Sequence, residues 1–456
     1  MTHPLQTADQ FDVAIIGGGA AGVLVAIHLL AARRPVLRIT IIEPRAGLGQ
    51  GAAYSTVYSE HLLNVVASRL SAFPDDPGHF VRYLATQPGY AGDQVSLADC
   101  FARRVDFGCY LSATLDAQPG AGDVQWLHDE ATDIQQDIEA TITLGSGARI
   151  TARSVVLALG NFARAIPLPA TDIHGEPSCI AAWDYAAIRQ IDRDADVCIL
   201  GSGLSMIDAV LSLAARAHRG NITVISRHGL MPLAHVEHGT HDIDIGELAR
   251  LNVRQRTRAL RAMADTALIN GEPWQWIMDS LRPHVQLLWT TLPLDEQRRF
   301  LRHVARFWDI HRHRIAPAVV GQIEALRSSG QLQIRGGRLL SIAQHTDGVH
   351  VRLRANDGTA PAVLRVDHVI NSTGVEKNIT RLASPLVASL VRQGLITPGP
   401  HEMGVATKDN GTVLAKDGSA GAPLVAVGAM RIGHLWESTA IAELRGQATR
   451  VADMLA

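Results

Sequence analysis

Two glycine-rich turns constrain this chain more than anything else in it: Gly17-Gly18-Gly19-Ala20-Ala21-Gly22 and Gly201-Ser202-Gly203-Leu204-Ser205-Met206, each directly after an apolar, strand-like run. A glycine at the first position makes the tight turn, and one at the second lets the backbone approach a pyrophosphate. The helix that follows aims its N-terminus at the negative charge. One chain with two such turns is expected to hold two nucleotides side by side, an arrangement suited to electron transfer between them.

The first unit is the more complete. A strand over 12–16, the glycine turn, a helix over 20–32 and a strand over 37–42 ending in Glu43 make a βαβ pattern with an acid where a ribose-binding carboxylate belongs. The alternative is a tight turn with no ligand. In flavoproteins with two dinucleotides the N-terminal copy usually holds FAD, so Gly17, Gly19, Ala21, Gly22 and Glu43 are its candidate contacts. The second unit has a strand over 197–200, a helix through Ala214 and a strand over 222–225, with Met206 in place of the third glycine. Its helix and strand are therefore expected to sit slightly farther apart. Ser226-Arg227-His228 follows, where an NAD site more often carries an acid. A guanidinium there clamps a 2′-phosphate that a carboxylate would repel, which favours NADPH over NADH. Gly201, Gly203, Leu204, Ser205, Ser226, Arg227 and His228 are the expected NADPH contacts, against the plainer reading of Arg227 as a solvated loop arginine.

The strands 155–159 and 369–373 each end in glycine, at Gly160 and, after Thr373, at Gly374, as at the crossings between two nucleotide-binding domains. The expected fold is α/β with two Rossmann-like domains: an FAD-binding part at 1–165 and 371–456, and an NADPH-binding part at 166–370 with a helical insertion at about 230–320. From Arg298 to Arg314, Phe300, Leu301, Val304, Phe307 and Trp308 fall on one helical face, and Arg298, Arg299, Arg302 and Arg306 on the other. That face is either a solvated surface or a cationic rim for a carboxylate-bearing substrate or for NADPH phosphates. Arg302, Arg306, His311, Arg312, His313 and Arg314 are the substrate-contact candidates. His235, His238 and His241 cluster without a cysteine or a helical i, i+4 pair, so no metal site is expected. No residue stands out as a catalytic acid or base.

A net charge of −2 gives no reason to bind nucleic acid or an anionic membrane. Cys100, Cys109, Cys179 and Cys198 form no C-x-x-C pair, which argues against a disulfide scaffold, a zinc ribbon and a dithiol reductase. The first ten residues lack a signal-peptide pattern and no run is apolar enough to span a bilayer, so a cytoplasmic protein is expected. Its oligomeric state is open, a homo-oligomer included.

Several segments together, 51–56, 61–65, 71–77, 201–208, 308–314 and 435–440, resemble the bacterial FAD/NAD(P)-binding proteins, distant relatives of the N-hydroxylating and Baeyer-Villiger flavin monooxygenases. The resemblance implies that Tyr54 and Asn64 lie near the pyrophosphate and the isoalloxazine, with a capping role as the alternative for Asn64. It implies that Gly428 runs along the flavin and that Trp436 stands at its pyrimidine end. Asn64 and Trp436 are also the candidates for contact with the chemistry. Ala429 stands where the disulfide-reductase branch has an aspartate, and the histidine fingerprint of the Baeyer-Villiger branch is missing. The expected activity is therefore NADPH-dependent N-hydroxylation by O2 of a small carboxylate-bearing amine or amino acid through a C4a-hydroperoxyflavin. The alternatives are an NAD(P)H oxidoreductase passing electrons to a quinone or other acceptor, and a non-catalytic redox flavoprotein.

Overall fold

The computed structural model describes residues 9–32, 37–418 and 423–455; most of the N-terminal stretch read above for a signal sequence lies outside them. The chain enters through β1 (Asp9–Ile16), turns at Gly17 and runs as α1 (Ala20–Ala31) into β2 (Ile39–Ile42). The helix ends one residue, and the second strand starts two residues, inside the expected bounds. All four β2 residues are buried and both strand pairings of β1 are parallel, as for strands covered on both faces. Residues 22–29 of α1 are all buried, because the sheet lies on one side and two helices on the other, α2 (Arg104–Asp116) and the C-terminal helix. After β3 (Gln125–Leu127), an antiparallel ribbon of β4 (Ala131–Gln136) and β5 (Ala140–Leu144) leads into β6 (Arg149–Leu157). The order of the first sheet is β3-β2-β1-β6-β5-β4.

The second sheet follows a short strand, β7 (Phe162–Ala163). It contains β8 (Ile173–His174), β9 (Cys179–Ala181), β10 (Val197–Leu200), β11 (Ile222–Ser226), β12 (Leu332–His345), β13 (Gly348–Ala355), β14 (Ala362–Val366) and β15 (His368–Asn371). Its parallel centre, β12-β11-β10-β15-β9, carries α3 (Leu204–Ala214) between β10 and β11. Met206 is fully buried in the core of this half. The chain then returns through β16 (Val375–Glu376), antiparallel to β7, and adds β17 (Leu424–Ala426) beside β6 in the first sheet. It ends in α7 (Ile441–Leu455), whose Ile441, Leu444, Ala448 and Val451 pack in one core with Val23 and Ile27 of α1.

Between β11 and β12 the helical insertion includes α4 (Val253–Ile269), α5 (Leu294–His303) and α6 (Ala305–Arg312). An Asn252/Gln255 capping box starts α4. The single helix expected from Arg298 to Arg314 is two helices that meet in a kink at Val304, where φ widens to −115° within the right-handed helical region. This kink turns Phe307 away from Phe300 and Trp308; Phe307 is 45% exposed while the other two pack inward. No helix among the described residues is long and apolar enough to cross a membrane.

Candidate functional site

Both glycine turns are built alike. Gly17 and Gly201 have φ of +105° and +97°, which L side chains avoid. Gly19 and Gly203 precede α1 and α3 without any side-chain cap, and neither first turn contains an acid. Two helix N-termini thus keep free N–H groups and a positive dipole end for an anion. At the first turn, Glu43 is buried and accepts from Gly18 N at 2.8 Å and Arg45 N at 3.0 Å. Gly428, at φ +67°, sits against Ala21 at the start of α1, and its N–H donates to Gln447 Oε1 at 2.9 Å. Gly160 also has positive φ, +69°, at the end of the β6 crossing.

A cavity of about 1520 Å³ joins the second turn to the C-terminal segment. Gly201, Gly203, Leu204, Ser205, Ser226, Arg227 and His228 line one part, Thr373 and Gly374 the crossing, and Tyr54, Asn64 and Trp436 the part nearer the first sheet. Arg227 and His228 are exposed at the end of β11, where Asn356 Nδ2 fixes the Arg227 carbonyl at 2.7 Å. Tyr54 packs at 5.0 Å on Phe107, and burial pushes its hydroxyl up to about 12. Asn64 faces the cavity while its carbonyl accepts from His235 Nε2 at 2.9 Å.

Trp436 holds a φ of +60°, strained for an aromatic residue. Its ring stacks on Trp289 at 5.1 Å, meets Phe300 edge-on at 5.3 Å and lies 4.7 Å from Lys377 Nζ. Packing on three sides over-determines the strained backbone. The Trp436 indole N–H and the Ser438 hydroxyl are buried without partners just before α7, so they remain free for a ligand's polar edge at that helix terminus. Between them Glu437 accepts from Trp308 Nε1 at 2.9 Å and pairs with Arg312 at 2.7 Å. Burial opposes its ionisation, but Arg312, His313 and the indole outweigh it and hold the carboxyl below its usual value.

The expected cationic rim is redistributed. Of its six members, Arg306 and His313 line the cavity. Arg306 donates to Ser202 O at 3.2 Å and Ser202 Oγ at 3.0 Å, inside the second glycine turn. Arg302 is exposed on α5 away from the cavity, and His311 is tied to the Phe307 carbonyl at 2.7 Å. Arg312 is consumed by Glu437, and Arg314 is buried against Asp279. Cavity-lining groups that sequence reasoning missed are Arg282, Lys377 and Asp309. Burial pushes Arg282 down to about 10 and also lowers Lys377. An acid four residues before a histidine within Trp308–Arg314 was the available signal for Asp309; nothing local marks Arg282 or Lys377.

The two sheets are joined by a buried polar lock. Asp208 on α3 pairs with Arg104 at 2.6 Å, with side chains 4% and 15% exposed. Arg104 also donates to Leu62 O at 3.1 Å. His61, fully buried, donates from Nε2 to Asp208 O at 2.9 Å, which leaves Nδ1 to accept from Thr56 Oγ1 at 2.7 Å. Burial lowers the ring's pKa from 6.5, which favours this neutral tautomer. Because the unfolded chain takes up this proton first, the stabilisation is complete above pH 6.5 and is lost as pH falls below it. Urea midpoints at about pH 7.5 and about pH 5.5 should drop on acidification, and less so in His61→Gln.

Two glycine turns with uncapped helices, the second of them opening on the large cavity, define a two-site dinucleotide-binding α/β protein. Residues 14–162, about a third of the chain, match the model of a family described as FAD-NAD(P)-binding. Among curated proteins, a ferredoxin–NADP reductase of Limosilactobacillus fermentum is 28% identical over 212 residues, 45% of this chain. The chain spans about half the length of this relative, 51%. Its fold is shared with an L-lysine 6-monooxygenase from Pseudomonas syringae (TM-score 0.69, 18% identity, 98% of this chain and 99% of that one). It is shared equally with an ornithine hydroxylase from Pseudomonas aeruginosa (TM-score 0.65, 16% identity, 98% and 99%).

Proposed function

We propose that this chain is an FAD-dependent, NADPH-using monooxygenase that N-hydroxylates a small carboxylate-bearing amine. The observation that carries the reading is the large cavity: it runs from the second glycine turn to the strained Trp436, it holds Arg282 and Lys377, neither in an ion pair among the described residues, and no cysteine is among its lining residues. Fold likeness to hydroxylases of lysine and ornithine supports it. The bound flavin would supply hydride acceptance and oxygen transfer. In this assignment residues 1–165 and 371–456 bind FAD and residues 166–370 bind NADPH. Gly17, Gly19, Ala21 and Gly22 hold the FAD pyrophosphate, Glu43 the adenosine ribose, and Trp436 and Ser438 the polar edge of the ring. Gly203, Ser205 and Arg306 orient the NADPH pyrophosphate, and Arg227 with His228 faces the 2′-phosphate. Arg282 and Lys377 face a substrate carboxylate, and the Trp289–Trp436 stack excludes water.

Two measurements test this. Protein reduced by NADPH without oxygen and then mixed with O2 should show a transient absorbance differing from oxidised and reduced flavin, and L-ornithine or L-lysine should yield a hydroxylamine faster than cadaverine, which lacks a carboxylate. Direct return to oxidised flavin with each amine, and no hydroxylamine, would overturn oxygen insertion. That outcome would favour the second reading, electron transfer to an external acceptor, which the match to a ferredoxin–NADP reductase supports. In Arg227→Ala, losing a charge-assisted bond of ~1.5–3 kcal/mol should raise the KM for NADPH at least about tenfold and leave that for NADH unchanged. An unaltered preference would remove Arg227 from the 2′-phosphate.

A further inference from the structure

An amine attacks an electrophilic oxygen only through its lone pair, yet an alkylamine is an ammonium ion at neutral pH. A monooxygenase of amines therefore needs a proton acceptor where the amine docks, and the cavity contains one carboxyl placed for it. Asp309 on α6 lines the cavity and makes no hydrogen bond or ion pair through its side chain with another described residue. His313 lines the same wall, one turn on, and its backbone N–H bonds to the Asp309 carbonyl at 2.8 Å. Of the other acids lining the cavity, Glu437 is committed to Arg312 and Trp308, Asp208 to Arg104, Glu376 to the backbone N–H groups of Lys377 and Asn378, and Glu402 to the Asn378 amide. A desolvated carboxyl facing a cavity with no bonded partner is costly unless a cation comes to it.

We propose that Asp309 accepts the proton of the substrate ammonium and that His313 carries this proton onward. The inference rests on the monooxygenase reading above. In the first step the N–H bond of R–NH3⁺ breaks, an O–H bond forms on the Asp309 carboxylate, and R–NH2 is left with its lone pair free. In the second, because no direct bond joins the two side chains, the acid passes the proton through cavity water to the neutral His313 imidazole, which releases it to solvent and resets the pair. Burial raises Asp309 from 3.8 and lowers His313 from 6.5, so the proton affinities of the two groups are shifted toward one another. The charged groups facing Asp309 are His313, Lys377, Arg306 and Glu437; those facing His313 are Glu437, Arg312, Asp309 and Arg282.

The test uses FAD-loaded protein with whichever of L-ornithine, L-lysine and cadaverine the wild type hydroxylates. Asp309→Asn should cut kcat near neutral pH by ~10²-fold or more and regain about tenfold per pH unit as free amine replaces ammonium in solution. Asp309→Glu should restore most of the rate without high pH. Independently of turnover, the ¹⁵N titration of His313 should move to lower pH in Asp309→Asn, because a neighbouring negative charge is gone. A wild-type enzyme that hydroxylates amines while Asp309→Asn keeps the wild-type pH profile overturns this proposal alone. A His313 titration indifferent to Asp309→Asn overturns the pairing. A wild type that hydroxylates none of the three overturns the functional reading, and this proposal with it.

Discussion

Gly22→Ala should be purified without its yellow colour. A Cβ on Gly22 would fall well inside van der Waals distance of the Gly17 carbonyl oxygen and 3.1 Å from Ile15 Cγ2. The first of these is backbone and cannot swing aside. Relief requires α1 to move off β1, and with it the N–H groups that face the pyrophosphate. Losing two charge-assisted bonds of ~1.5–3 kcal/mol each weakens FAD binding by ~100-fold or more. Gly321→Ala is the informative control: its Cβ meets no atom within 4 Å, and the residue lies outside both glycine turns. Its flavin-to-protein absorbance ratio should stay close to wild type. A Gly22→Ala protein with full flavin content would mean that the nucleotide is not held at the first turn.

Asp208→Ala should cost about 3–5 kcal/mol, the largest stability loss expected of any single surface-to-surface contact between the two sheets. It leaves Arg104 buried without its counter-ion, while the backbone carbonyl that accepts from His61 remains. Asp208→Asn keeps the shape, loses the charge and should fall between the two. Urea unfolding followed by tryptophan fluorescence and by flavin release should separate into two transitions in the alanine variant. A loss below about 1 kcal/mol would show the pair to be no stronger than an exposed one.

What was legible in the sequence is what is local. The turns at Gly17 and Gly201, the helices behind them and the strands in front each state their requirements within a few residues, and the α/β class follows from their βαβ spacing. What was illegible depends on partners far away in the chain. Arg312 and Arg314 look identical in sequence to Arg306, yet Glu437 takes the first, Asp279 the second, and the second glycine turn the third. Arg282 and Lys377 reach the cavity from positions 95 residues apart with no motif to mark either. The apolar stripe breaks at Phe307, which is exposed beyond the junction of the two helices at Val304 while Trp308 still packs inward.

The strands β7 and β16 give one more consequence. Ala163 pairs with Val375 and Phe162 with Glu376, so the polypeptide leaves the first sheet and comes back to it at the same spot. Every strand of the second sheet falls between these two points. A segment whose ends are already neighbours can be cut out or exchanged without rerouting the backbone around it. In hereditary terms it is a cassette: recombination at two short sites could swap the half built on the second sheet, insertion and all, and leave the reading of the other half in register.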